Sequence, residues 1–202
     1  MATIHLVRHA PTPETGKRLT GRLPGVGLDD TGREIAAAAA AALSEVPYAA
    51  VYTSPVLRCR ETARILAAPH DLAPIPYRSL IEVDYGTWAG RTLGSLRRTR
   101  LWRELLVAPS RVRFPGGETL AEVQARAVAA AEDLAGRHRG RTIAVVSHGD
   151  VIKSVVAHYL GVPLDLFQRI AIAPASHSIV HLRDGRTPWV EAVNRLPTKA
   201  GS

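Results

Sequence analysis

With Cys59 as its only cysteine, the chain cannot form an intrachain disulfide, which fits a reducing compartment. Long apolar runs are also missing. The alanine-rich stretch from Ile35 to Leu43 falls well short of the roughly 18 residues that a membrane span requires. MATIHLVRHA lacks the basic region and long apolar core of a secretory signal. A cytoplasmic protein with no membrane partner is therefore expected. Other absences exclude whole chemistries. PGVG and PGG carry no P-loop lysine. VVSHG has Val145 where a serine-hydrolase elbow needs its first glycine. His177 and His181 lie four apart in a predicted strand, with no cysteine or carboxylate to complete a metal set. Repeats, low-complexity tracts and interdomain linkers are missing too, so residues 1–202 read as a single domain.

Acidic residues are in the minority. The 18 Asp and Glu face 26 Lys and Arg, for a net charge of +8. Much of the excess lies in 91–113, where Arg91, Arg97, Arg98, Arg100, Arg103, Arg111 and Arg113 face Glu104 alone. A nucleic-acid patch usually interleaves lysine and aromatics, and only Trp102 qualifies here. No nucleic-acid partner is therefore expected. A solvated helix face and a positive lip over an anion site both remain open. The latter would suit a substrate charged beyond its scissile group, such as a phosphorylated carboxylic acid, a sugar phosphate or a nucleotide-like ester.

Strands and helices alternate. TIHLVR (3–8), Ala49–Thr53 and RTIAVVS (141–147) are apolar, β-branched runs without breakers. Further extended pieces are expected at Ala73–Tyr77, Leu80–Ile81, Ile170–Ile172, Ser178–Arg183 and Trp189–Val193. A helix should start at Asp29 or Asp30, with Glu34 acting in the manner of a capping box. Ser54-Pro55 reads as the N-cap and first turn of a second helix running to about Ala67. Arg91–Leu106, Thr119–Arg137 and Asp150–Leu160 complete the helices. This pattern predicts an α/β fold of three layers: a mostly parallel central sheet with helices on both faces.

Ligands of such sheets bind beyond the carboxyl ends of the strands. The first strand ends at Arg8-His9. The second ends at Ser54, with Arg58 in the first turn of the following helix. The third ends at His148-Gly149, directly before a helix. Two guanidinium forks, two imidazoles and two helix N-termini thus converge on one edge, with Gly149 allowing close backbone approach. This is a site for a tetrahedral dianion.

Five stretches, in order, carry a resemblance: LVRHAPT, TSPVLRCRETA, LIEVDYGTWAG, PGGET and VVSHGDVIKS. They resemble the histidine phosphatase superfamily, which includes the phosphoglycerate mutases. The resemblance implies a phosphoglycerate mutase-like fold and the hydrolysis of a small phosphorylated metabolite without metal or other cofactor. His9 would be the nucleophile. Arg8, Arg58 and His148 would hold the phosphoryl oxygens. Glu82 would protonate the leaving group, with Asp84 as its rival two residues on. Gly149 would contact phosphate. The family's frequent Arg-His-Gly is Arg-His-Ala10 here. Thr15 stands where many members carry a phosphate-binding asparagine, and Thr20-Gly21-Arg22 resembles a substrate-contact turn once a one-residue gap is allowed. Mutase relatives carry a longer cationic insertion after the glutamate, so the short Glu82-to-PGGE stretch favours hydrolysis. The alternative is mutase-type phosphoryl transfer, which Tyr85 resembles. Whether the chain pairs as a homodimer is left open. Cys59, Trp88 and the remaining histidines are expected to be packing residues.

Overall fold

The computed structural model describes residues 1–182, 185 and 187–197. Among these, six strands form one sheet: β1 (Ala2–Arg8), β2 (Tyr48–Thr53), β3 (Ile75–Pro76), β4 (Thr142–Ser147), β5 (His177–Leu182) and β6 (Trp189–Arg195). Their order is β3-β2-β4-β1-β5-β6. The first four are mutually parallel, and β5 and β6 extend the sheet antiparallel. The central pair is in plain register, with Arg8 beside Ser147. The ends that carry Arg8-His9 and His148-Gly149 are therefore adjacent.

The described residues form six α-helices: α1 (Asp30–Ala42), α2 (Leu57–Ala67), α3 (Leu93–Leu96), α4 (Arg100–Val107), α5 (Leu120–Arg137) and α6 (Gly149–Tyr159). Strand side chains alternate between two cores, as the pleat requires. Leu6, Ile143 and Val145 pack with Val123, Leu134 and Val155 of α5 and α6. Val7, Ala144 and Val146 pack with Ala40 of α1 and with Ala63 and Leu66 of α2. The expected three-layer arrangement is thereby formed.

Local differences from the expected elements have physical causes. Asp29 caps α1 alone, its Oδ1 accepting from the Gly32 N–H at 2.7 Å. Glu34 lies beyond the reciprocal position. The third helical residue is Gly32, where a Cβ would meet the Pro11 carbonyl oxygen. A full capping box occurs on α5 instead, between Thr119 and Glu122. Ser54 does not cap α2, whose N-cap is Val56, because the Ser54 hydroxyl is engaged with His148. The expected helix 91–106 is split in two, and Thr99 caps the second part. Of Ala73–Tyr77, only Ile75 and Pro76 pair with β2, and Arg78–Leu80 is a 3₁₀ turn. Ile170–Ile172 is not a strand: the Ile172 carbonyl accepts from Arg8 instead of from a ladder. Arg183, the expected end of β5, lies outside the described residues.

Candidate active site

The β1, β2 and β4 ends open into a cleft of about 270 Å³. Arg8, His9, Arg58, Glu82 and Gly149 all line it. Thr15, Thr20 and Gly21 form part of its wall from the β1–α1 loop.

Arg58 is the hub, buried to 1% exposure. Its Nε donates to His9 Nε2 at 3.1 Å. Its Nη2 donates to the Gly21 carbonyl at 2.8 Å and to His148 Nδ1 at 3.0 Å. Arg8 donates through Nη1 to the Ile172 carbonyl at 2.6 Å. One nitrogen of each fork, Arg8 Nε and Arg58 Nη1, is buried without a protein partner. Buried donors are nearly always satisfied, so two orphans on cations beside one cleft call for an anion. Gly149 serves this arrangement directly. A Cβ there would lie 3.3 Å from the Arg8 guanidinium carbon.

These bonds fix both imidazole tautomers. His9 Nδ1 lies 2.7 Å from the Ala10 carbonyl, which can only accept. The proton is therefore on Nδ1, and the Nε2 lone pair faces Arg58. Guanidinium can only donate, so His148 Nδ1 accepts, and its Nε2–H donates to Ser54 Oγ at 2.8 Å. Burial, then Arg58, holds both rings well below the usual histidine range. Both are neutral at physiological pH. His148 sits behind the cleft wall rather than on it, and the two ring centroids are 5.4 Å apart.

Glu82 presents the opposite case. Burial first, and the Asp150 carboxylate second, push its carboxyl up to about 7. Its Oε1 accepts from the Val83 N–H at 2.9 Å, and Oε2 lies 3.5 Å from His148 Nδ1. The Glu82 carbonyl is clamped by Arg22 Nε at 2.8 Å and Arg126 Nη2 at 3.2 Å, and both arginines also bond Glu118. Asp84, the rival acid, is off the cleft wall: it pairs with Arg22 at 3.3 Å and accepts from the Gly86 N–H.

Thr15 Oγ1 accepts from the Thr12 N–H at 2.9 Å and shares a second hydrogen bond with Thr12 Oγ1 at 3.2 Å. Ala10 does not adopt a left-handed backbone, so the glycine common at that position is not required here. Cys59 is fully buried and its thiol is pushed up to about 12, which suits a packing residue. Trp88 belongs to the core. None of the seven arginines of 91–113 lines the cleft, to which that segment gives only Leu93. Its cations are exposed, and Arg100 and Arg113 pair with Glu104 and Glu122. The positive-lip reading of that segment is therefore corrected. The mouth carries Arg18 and Lys153 instead.

Sequence reasoning missed Asp150 and Lys153 as cleft residues. Tyr85, singled out in the sequence, donates through its hydroxyl to Asp150 Oδ2 at 2.8 Å, and Lys153 Nζ lies 3.5 Å from Asp150 Oδ1. The only signal of Asp150 and Lys153 is position, one and four residues beyond Gly149 in VVSHGDVIKS.

Paired neutral imidazoles around a dry guanidinium, at the carboxyl edge of a parallel sheet, define an enzyme that binds a phosphoryl group. A model of the histidine phosphatase superfamily (branch 1) matches residues 4–195. The chain belongs to that superfamily. It is 31% identical over 191 residues to phosphoserine phosphatase 1 of Hydrogenobacter thermophilus, covering 92% of this chain and 89% of that one. It is 34% identical over 160 residues to phosphoglycerate mutase-like protein 4 of Arabidopsis thaliana, covering 76% and 69%. Bacillus stearothermophilus YhfR superposes with a TM-score of 0.90 at 28% identity, covering 97% and 98% of the two chains.

Proposed function

We propose that the chain is a metal-independent phosphomonoester hydrolase working through a phosphohistidine on His9. The observation that carries this reading is the pair of unpartnered buried guanidinium nitrogens, one on the Arg58 fork that bonds His9 Nε2 and one on Arg8 in the same cleft. Two arginines oppose a substrate phosphate of about −2 charge. Catalysis then consists mainly of positioning and of charge stabilisation within an arranged site.

In the first step His9 Nε2 forms a bond to phosphorus. The bond from phosphorus to the ester oxygen breaks, and Glu82 gives its proton to that oxygen. In the second step Glu82, now a carboxylate, takes a proton from water as the water oxygen attacks phosphorus. The P–N bond breaks and inorganic phosphate leaves. His148 accepts from Arg58 in the resting tautomer. With its proton moved from Nε2 to Nδ1, and the Ser54 hydroxyl then donating to Nε2, the still neutral ring donates to a phosphoryl oxygen.

Hydrolysis is favoured over mutase transfer by the stretch after Glu82. From residue 83 to the PGG loop it gives the cleft only Tyr85 and Leu93, and no cation that would retain an anionic product for a second transfer. The name of the Hydrogenobacter relative points the same way.

The test is a panel of phosphomonoesters assayed with and without chelator, together with acid quenching. Activity that survives chelator, with an acid-labile phosphoenzyme that is missing in His9→Ala, is the expected result. Full activity in His9→Ala overturns the mechanism. Phosphoglycerate mutation faster than phosphate release overturns the assignment as a hydrolase.

A further inference from the structure

The cleft contains more charge than a phosphate needs. Arg8 and Arg58 suffice for the phosphoryl dianion. The remaining ionic side chains are two opposite-charge pairs, Glu14 with Arg18 and Asp150 with Lys153. The outer cleft thus has no net charge but strong local charges of both signs. A second phosphate or a dicarboxylate would suit it poorly, since either anion would face Glu14 and Asp150. A neutral alcohol or sugar would leave the charges unused.

The two pairs are not equivalent. Glu14 and Arg18 are 35% and 51% exposed and meet at 3.3 Å, and Arg18 also bonds the Gly90 carbonyl. Such an exposed pair has little leverage on a ligand. Asp150 and Lys153 are 26% and 18% exposed. They sit on α6 three residues apart, directly after the Gly149 that touches Arg8. Side chains of a helix lean toward its N-terminus, so the Lys153 stem runs back toward the phosphate end.

Lys153 has spare donors. Nζ donates to Gln168 Oε1 at 3.1 Å and lies 5.5 Å from the centre of the Phe167 ring. Its 3.5 Å separation from Asp150 Oδ1 exceeds the roughly 2.7–2.9 Å of a good charge-assisted bond. Asp150 Oδ2 is taken by Tyr85, so Oδ1 is the weakly used acceptor. The loose pair can open to receive one group of each sign. A cleft of about 270 Å³ lies just under the roughly 300–1,000 Å³ of drug-sized sites, which suits a compact substrate.

We propose that Lys153 and Asp150 form a zwitterion subsite, Lys153 taking the carboxylate and Asp150 the ammonium of a phosphorylated amino acid. The inference rests on the phosphatase reading and specifies what its substrate carries beyond the ester oxygen.

Three small phosphomonoesters test it: O-phosphoserine with both groups, phosphoethanolamine with the ammonium alone, and 3-phosphoglycerate with the carboxylate alone. In the parent, kcat/KM for phosphoserine exceeds each of the others by roughly 10–100-fold, the effect of one charge-assisted hydrogen bond. Lys153→Met collapses the phosphoserine-to-phosphoethanolamine ratio, and Lys153→Arg restores part of it. Asp150→Asn collapses the phosphoserine-to-phosphoglycerate ratio. Ratios cancel any effect of Asp150 on Glu82, which is common to all substrates. A parent without preference overturns the subsite alone, as do variants that keep the parental ratios. A parent that hydrolyses none of the three but another ester of the wider panel overturns the subsite alone, and one that hydrolyses no ester of that panel overturns the phosphatase reading with it.

Discussion

At the residue scale the site separates its ionisable groups by environment. His9 is neutral because burial and Arg58 disfavour the imidazolium, and Glu82 is partly protonated near neutrality because burial and Asp150 disfavour the carboxylate. A nucleophile and a proton donor thus coexist near neutrality. The acid is lost as pH rises through about 7, and the nucleophile is lost only well below 6.5. A kcat/KM profile should therefore fall on the alkaline side near 7, with its acid limb displaced well below 6.5. Glu82→Gln removes the alkaline limb and lowers kcat by on the order of 10²–10⁴. The same burial costs stability. Glu82 has a folded pKa above its ordinary 4.5, so its contribution is full below 4.5 and is lost as pH rises toward 7. Thermal melts should accordingly show Glu82→Gln gaining more over the parent at pH 8 than at pH 4.5. Arg58→Lys should lower kcat/KM by more than about 100-fold, because an ammonium cannot reproduce the fork held by His9, His148 and Gly21.

At the level of elements, the glycines of two motifs mark a backbone crossing. Gly86 has φ of +52°, and a Cβ there would collide with the Pro115 carbonyl oxygen. A Cβ on Gly117 would collide with the Asp84 carbonyl oxygen. The loop that carries Glu82 is thus pressed against the PGG turn. Gly86→Ala should unfold the site region and lower Tm by several degrees, read by calorimetry together with lost activity. The interior of the sheet provides a second case. His5 and His177 stack at 5.6 Å between centroids where β1 meets β5, and Tyr48 bonds His5 at 2.8 Å. Burial, then His177, pushes His5 down to about 4, and burial, then Arg195, lowers His177. The unfolded chain takes up these protons first, so stability is full above 6.5 and falls as pH drops from 6.5 toward 4. His5→Gln should flatten that acid decline in chemical denaturation measured across the window.

For the molecule as a whole, phosphate should act as a ligand of the folded state alone. Inorganic phosphate at 100 times its Kd should add about 2.7 kcal/mol, seen as a rise in Tm that Arg58→Lys removes. The architecture was legible in sequence because β1, β2 and β4 are apolar runs punctuated by their functional residues. Parallel pairing then decides that Arg8, Arg58 and His148 meet. The motifs also located Glu82 at the cleft. What stayed hidden depends on distances that the chain does not encode locally. Arg126 lies 44 residues from the Glu82 carbonyl it holds. Ser54 looked like a helix cap because its neighbours are Thr and Pro, but its hydroxyl had a stronger partner in His148. The arginines of 91–113 are conspicuous by number, yet all seven are exposed, leaving Leu93 as that segment's share of the cleft wall.

Arg58 keeps its cationic head inside the protein before any substrate arrives, tied down by two imidazoles and a carbonyl. Stripping the hydration shell from that guanidinium is therefore completed during folding and is not repeated in each turnover. An arriving ester has only its own water to shed, and the motion left to the site is the swing of donors from nitrogen lone pairs to phosphoryl oxygens.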